Sequence, residues 1–273
     1  MPFSAPVTFD AALAYARARS LLPTTGVTAD LQRLAPAIKR RALFSATVDL
    51  VEPLQTLDDG VNAILRGETD QASVRLAMKK LWQSLGYEPD ENEAGGLRDL
   101  SSSKRINLQI ETNVDTARGY GYYAATHNAD TLDEYPAQEL FRATNPRDPD
   151  AARDWEERWM QAGGEFFGGR MIALKTDDVW NRLGDPDLFP DGLGNPWPPF
   201  AFNSGMDVRG ITRDEAVQLG LIDADTQLTP PPLEDFNTNL RASPDLRSAL
   251  LRTLIEATSL GTFDAGGVLH FKP

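Results

Sequence analysis

Residues 104–126 read KRINLQIETNVDTARGYGYYAAT, and the character of the chain differs on the two sides of this stretch. Ile106, Ile110, Val114, Ala117 and Gly121 recur at three- and four-residue spacings, which is the period of one helix face. The small residues Ala117, Gly119 and Gly121 would let another backbone approach this helix closely. Tyr120, Tyr122 and Tyr123 would cover the faces around them. The spacing predicts a long helix with a helical region before it and a mixed region after it. The expected fold is α+β and mostly helical: a helical domain over residues 1–128, an acidic α+β domain over 129–229 and a C-terminal extension over 230–273.

On the N-terminal side, TFDAALAYARARSLL (8–22) reads as a helix capped by Thr8, with Asp10 at its positive end and Pro23 as its stop. Residues 30–67 keep helical spacing through Leu31, Leu34, Ile38, Leu43, Phe44, Val48, Leu54, Leu57, Val61 and Leu65, with breaks expected at Pro36 and Pro53. Thr69 opens a further helix whose apolar stripe is Val74, Ala77, Met78, Leu81 and Leu85, closed by Gly86. EPDENEAGG (88–96) is a loop.

Beyond residue 130, YPAQELFRAT (135–144) reads as a strand entered from a proline, and FFGGRMIALK (166–175) as a hairpin or extended pair. NPRDPDAARDWEERWMQAGG (145–164) reads as a helix capped by Asp148 with Pro149 first and Gly163–Gly164 as its stop. TRDEAVQLGLI (212–222) offers a capping box from Thr212 and Glu215. SPDLRSALLRTLIEATS (243–259) is an amphipathic helix capped by Ser243, with Leu246, Leu250 and Leu254 on one side.

Composition excludes several chemistries. The chain of 273 residues has no cysteine, so disulfides, thiolate nucleophiles and Cys-type zinc sites are out. Its two histidines, His127 and His270, lie far apart in sequence. Residues 128–240 hold 22 acidic and 9 basic side chains, so this stretch carries the whole net charge of −13. Such a surface repels phosphates, against what a nucleic-acid interface requires. The cluster Lys39-Arg40-Arg41 reads as a solvated helix face. No run is apolar enough to span a membrane, and the first residues lack a secretory pattern, so a cytoplasmic protein is the default expectation.

The sequence carries no Walker loop, GxGxxG, GxSxG or HExxH motif. Asp154, Glu156 and Glu157 point in different directions on their helix, and a solvated face paired with Arg153 and Arg158 is the simpler reading. Asp177–Asp178 and Asp185/Asp187 lack the ligand order of a calcium loop. No cofactor, metal or catalytic residue is expected. Trp155 and Trp159, four residues apart, share a helix face and read as core or as an interface anchor.

Residues 194–208, GNPWPPFAFNSGMDV, are too broken by proline for a helix or a central strand. Without cysteine, and with histidine so scarce, a metal loop is excluded. No nucleophile or acid-base pair adjoins the segment, which weakens the reading as an active-site lid, and the favoured reading is an aromatic clamp. Prolines reduce the entropy lost on ordering, and Trp197, Phe200 and Phe202 pack the segment onto its own domain or onto a partner.

Three stretches together resemble the Mu F-like phage head morphogenesis (minor head protein) family: VTFDAALAYARARSLLPTT (7–25) followed by RALFSATVDLVEPLQTLDDGVNAILRGETDQASVRLAMKKLWQSLGY (41–87), the segment KRINLQIETNVDTARGYGYY, and RDWEERWMQAGGEFFGGRMIALKTDDVWNRLG followed by PWPPFAFNSGMDV. The resemblance covers roughly residues 8–222. It implies a minor capsid component associated with the portal vertex, with portal and head proteins as partners and DNA handled only indirectly at packaging or ejection. Its implied location is the virion, and the host cytoplasm during assembly, with no membrane. Many members carry a histidine before the glycine turn and a Cys-Arg-Cys after the Pro-Pro. This chain has Trp155, Trp159, Phe200 and Phe202 instead, so no such metal or thiol site can exist in it. The family's C-terminal half has also been likened to ADP-ribosyltransferases. That likeness implies an alternative enzyme in which Arg142 holds the dinucleotide; such enzymes also need a serine-bearing strand and a late glutamate, which this sequence does not place, since Ser204 and Glu215 sit in a loop and a capping box.

Overall fold

The computed structural model describes residues 9–144, 153–202, 204–233 and 244–272. The caps expected at Thr8, Asp148 and Ser243, with Pro149, Asn203 and the side chains of Leu246 and Leu250, lie outside the described residues. The fold is α+β and mostly helical. In chain order the first half holds α1 (Phe9–Ala18), β1 (Ser20–Leu21), α2 (Thr28–Gln32), α3 (Pro36–Arg41), β2 (Ala42–Leu43), α4 (Val51–Leu65), α5 (Gln71–Ser84) and α6 (Ser103–Thr126). Then come α7 (Ala129–Glu134), β3 (Ala137–Arg142), α8 (Trp155–Gln161), β4 (Phe166–Phe167), β5 (Arg170–Leu174), α9 (Val179–Leu183), β6 (Met206–Ile211) and α10 (Arg213–Gln218). The chain closes with α11 (Pro244–Ala257), β7 (Gly261–Phe263) and β8 (Leu269–Phe271).

Packing divides the chain into two compact units: residues 12–118 with 235–273, and residues 119–234 with 1–11. The division therefore falls inside α6, at Gly119, and not after residue 128. The C-terminal stretch belongs to the helical unit, where the Leu269 backbone N–H donates to Pro23 O at 2.8 Å and Thr24 Oγ1 donates to Leu269 O at 2.8 Å. Nothing in its amphipathic pattern names that partner, because both bonds end on the Leu269 backbone, one of them from a hydroxyl 245 residues away.

In the helical unit, Ile106, Ile110, Val114 and Ala117 of α6 are all buried, as their spacing predicts. Pro36 and Pro53 start helices rather than kinking one: Pro36 is the first residue of α3, and Pro53 sits in the first turn of α4. At those positions a missing backbone N–H loses nothing, since helix-start donors have no intrahelical acceptor. The long helix-period run also hides a two-residue strand, β2, which pairs in parallel with β1. Asp70, not Thr69, caps α5 by accepting from the Ser73 N–H at 2.7 Å. The buried face of α5 is Val74, Met78 and Trp82, whereas Ala77 and Leu85 are exposed. Leu22, Leu34, Ile38, Leu251, Ile255 and Leu269 belong to one apolar cluster of this unit.

The second unit is built on an antiparallel sheet in the order β4-β5-β3-β6. β4 and β5 form a hairpin, one of the two arrangements open for this stretch, turned by Gly168 and Gly169 at φ 59° and 77°. Such a two-residue turn with both φ positive suits glycine and matches the strand twist. The segment 194–208 ends in β6, an edge strand that pairs with β3 along its whole length, which its prolines conceal because all of them precede it. Alternation along the strands gives the sheet two covered faces. Leu140, Ala173, Met206 and Val208 face one apolar cluster with Trp155, Trp159, Trp180 and Phe200. Ala137, Ile172 and Ile211 face the other, closed by Ala216 of α10.

Candidate functional site

The aromatic clamp is a structure within the second unit. Trp197 is buried, 5.1 Å edge-on from the Tyr120 ring and 5.3 Å from the Tyr123 ring. Phe200 is fully buried and stacks on Trp180 at 6.1 Å, and Trp180 in turn lies 5.3 Å from Trp159. Each indole N–H of this pair reaches a carbonyl: Trp159 Nε1 donates to Glu165 O at 2.9 Å, and Trp180 Nε1 to Leu174 O at 2.7 Å. Aromatic rings thus supply apolar area without an orphaned donor at these two positions.

The backbone of the loop is locked from inside. Leu193 N–H donates to Phe200 O at 3.0 Å and Gly194 N–H to Gly184 O at 2.7 Å. A methyl group at Gly184 would meet Asn195 O at 2.2 Å. Glycine is required there by close approach of two backbones, whatever its φ. The Pro198–Pro199 peptide is cis.

Arg158 of α8 is the polar centre. It is buried, with its guanidinium 4.0 Å from the Phe189 ring centre and 4.9 Å from that of Trp155. Nε and Nη2 donate to Leu183 O, and Nη1 donates to Asp191 at 2.7 Å. Arg153 also pairs with Asp191 and donates to Phe202 O at 2.7 Å. Burial pushes the Asp191 carboxyl up, but Arg158 and then Arg153 outweigh it and hold the group below the usual carboxylate range. The solvated helix face expected for Arg158 is therefore corrected: the residue is a buried strut. Its helix is capped by Asp154, which accepts from the N–H groups of Glu156 and Glu157.

Trp155, Trp159, Trp197 and Phe200 are thus interior, while Phe202 is 41 % exposed. Met160 at 57 % and Phe166 at 39 % are other large apolar side chains that this unit turns outward.

No family, curated protein or solved structure matches the chain.

Arg142, the residue that the enzyme alternative places, pairs with Met206, two residues after Ser204, while Glu215 lies apart from both. Arg142 is the exposed last residue of β3, on the alternation that faces the tryptophan cluster. Ser204 is buried, and its Oγ accepts from Met206 N–H at 3.3 Å. Glu215 lies on α10, over the opposite face, where it accepts from Arg170 Nη1 at 2.6 Å. Thr212 accepts from the Glu215 N–H at 3.3 Å, so the cap at α10 is made while the Glu215 carboxylate is engaged with Arg170.

Three polar groupings were not legible in the sequence. Glu139, buried on β3, accepts from Arg170 of β5 and from Arg209, its register partner on β6. Burial pushes its carboxyl up, and the two arginines more than reverse that. The signal was there in part: residues 139, 170 and 209 fall on one sheet face once the pairing is known. Lys175 is 3 % exposed and donates to Thr126 O, and burial lowers it to about 8. In the helical unit, Thr25 Oγ1, His270 and Asp264 stand in a row, with contacts of 3.2 Å and 3.1 Å. The order is that of a nucleophile relay, and His270 and Asp264 are each 45 % exposed. Asp264 also accepts from Val268 N–H, so the row fastens the β7–β8 hairpin.

Proposed function

We propose that this protein is a minor head protein of a phage or prophage, acting through protein contacts in capsid assembly at the portal vertex. One observation carries the reading. The segments that bear the family resemblance after position 150, namely the helix before the glycine turn, the Asp-x-x-Trp element of Trp180 and the Pro-Pro loop, pack into a single apolar cluster, although Trp155, Trp159 and Phe200 are themselves departures from the family's pattern. They read as one structural signature, where unrelated local matches would fall in separate places.

The physical role that follows is a scaffold. Trp197 and Phe200 fix the loop from within, and the same loop ends at Phe202, turned outward with its carbonyl held by Arg153. An aromatic on a rigid support loses little entropy when a partner covers it. The acidic stretch 128–240 favours a protein partner or solvent over DNA phosphates, so contact with DNA is indirect. The chain works in the host cytoplasm during assembly and remains in the virion.

The test is mass spectrometry of gradient-purified heads, with a deletion strain beside the parent. The chain should be present in heads at low copy, and the deletion should give empty or portal-deficient heads. Heads that lack the chain, together with normal DNA filling in the deletion, would sink the reading.

A further inference from the structure

β6 leaves one long side of its sheet open. Pro136 O accepts from the Lys175 N–H, so the backbone groups of residues 136, 138 and 140 turn toward β5 and those of 137, 139 and 141 toward β6. Their register partners Ile211, Arg209 and Asp207 therefore bond β3, and the N–H and C=O groups of Met206, Val208 and Gly210 point away from the sheet. Among the described residues no strand pairs with that outer side. The Met206 N–H goes to Ser204 Oγ at 3.3 Å and the Val208 N–H to Asp207 Oδ1 at 2.8 Å. The three outward carbonyls and the exposed Gly210 N–H have no such local partner among the described residues. A row of this kind is a template for a further strand.

The side chains say which strand fits. Asp207 and Arg209 are exposed and, two residues apart, share one face of the sheet. Charges alternate across that face: Glu215 bonds Arg170, Arg170 bonds Glu139, and Glu139 bonds Arg209, so the row reaches the open edge as a cation. Arg209 spends Nε and Nη2 on Glu139 and keeps a side chain 57 % exposed. Asp207 has no cation against it among the described residues; burial pushes its carboxyl up, and only the Val208 N–H opposes that. A strand that continues the row brings an anion opposite Arg209 and a cation opposite Asp207. β6 of a second copy does both. Laid antiparallel about a two-fold axis at Val208, it sets residue 207 of each copy against residue 209 of the other. Moving the axis by one residue sets Asp207 on Asp207 or Arg209 on Arg209, so the charges choose the register. Residues 207 and 209 then form the non-hydrogen-bonded pairs, in which side chains come closest, while Val208 exchanges backbone bonds with Val208 and Met206 with Gly210.

We propose that the chain self-associates as a two-fold dimer through β6, joining the two sheets edge to edge, with Asp207 of each copy paired to Arg209 of the other. On pairing, the Val208 N–H passes from its own Asp207 carboxylate to the Val208 carbonyl of the second copy, which frees that carboxylate for the guanidinium. A two-fold contact closes on itself, so association stops at the dimer. The inference is independent of the assembly reading, since no ring of the clamp takes part.

Sedimentation velocity of the full chain over a range of concentrations tests it. A dimer is expected to build up with concentration. Asp207→Arg, at an exposed position, should weaken it at least tenfold, because arginine then faces arginine on both sides of the axis. Arg209→Glu should weaken it as much by setting acid against acid. An equimolar mixture of the two variants should recover a dimer of parental affinity, since every cross-copy pair is again of opposite sign. Where Arg209→Glu loses its fold with its bond to Glu139, the salt response of the parent takes its place: the dissociation constant should be at least threefold higher at about 0.5 M than at about 0.05 M salt. A chain monomeric at every concentration, a folded Asp207→Arg that dimerises like the parent, a mixture of folded variants that does not recover, or a dimer indifferent to salt overturns the proposal.

Discussion

A methyl group added at Gly119 would lie 1.7 Å from the carbonyl oxygen of Pro198 and 2.9 Å from the Trp197 ring. The close backbone approach implied by the small residues of α6 is thus made by the Pro-Pro loop, and the loop seats its tryptophan beside Tyr120 and Tyr123 in the same step. Backbone on backbone leaves no flexible side chain to give way. Gly119→Ala should therefore destabilise the second unit by about 3 kcal/mol, at the upper end for overpacking. Tryptophan fluorescence during urea unfolding reads this unit, because four of the five tryptophans lie in it. A midpoint unchanged from the parent would mean that helix and loop do not meet there.

Phe200 and Phe202 are two residues apart and opposite in kind. Phe200 is fully buried, and Phe202 is 41 % exposed. Phe200→Ala should cost about 3 to 5 kcal/mol, as truncation of a buried aromatic does. Phe202→Ala should stay within about 0.5 kcal/mol of the parent, as an exposed substitution. Under the proposed assembly role, a binding assay with head proteins should reverse the order among folded variants, with the loss falling on Phe202→Ala. Equal stability losses in the two variants would remove the scaffold argument.

Arg158 bonds a carbonyl with two nitrogens and a carboxylate with the third, between two aromatic rings. A lysine can reproduce neither the fork nor the planar stacking. Arg158→Lys should therefore cost about 3 kcal/mol, close to the effect of Arg158→Ala, because either change leaves the Leu183 carbonyl and Asp191 short of donors. Thermal unfolding of the two variants side by side checks this. A lysine variant within 1 kcal/mol of the parent would show that charge alone suffices.

Much of this architecture could be read from periodicity. The α6 face, β3, the β4–β5 hairpin and the close approach at Gly119 all follow from local spacing, since each is set by residues within one element or by the absence of a side chain. What could not be read depends on partners distant in sequence. The ladder of Glu139, Arg170 and Arg209 exists only once three strands have taken their register. Arg158 looked like a surface charge because its acceptors, Leu183 and Asp191, lie 25 and 33 residues on. β1 and β2 were hidden because two residues are too few to show alternation, and Asp154 was missed because an earlier Asp-Pro pair offered the same signal. The four interior rings of the clamp were all legible as a set, but not the fact that Phe202 faces outward.

His127 supplies the pH dependence. It is 2 % exposed, its Nδ1–H donates to Tyr123 O at 2.8 Å, and its ring lies 3.9 Å from that of Tyr123. Burial, with the Lys175 charge as a smaller contribution, lowers its pKa from 6.5 to about 4, against the opposing hydrogen bond to Tyr123. The folded state therefore prefers the neutral imidazole. Above pH 6.5 the ring is neutral folded or unfolded, and its contribution is fully present. As pH falls toward 4, the unfolded chain takes up a proton that the folded chain refuses, and stability declines by up to about 3 kcal/mol. Urea unfolding at pH 7 and pH 5 should show the second unit weakened at the lower pH. In His127→Asn, whose side chain can still donate to Tyr123 O, most of that difference should vanish. Carboxylates such as Glu139 also lose stability in acid, but they do so below the ordinary carboxylate range, because their arginines hold them down. A pH 7-to-5 difference as large in His127→Asn as in the parent would assign the effect to another group.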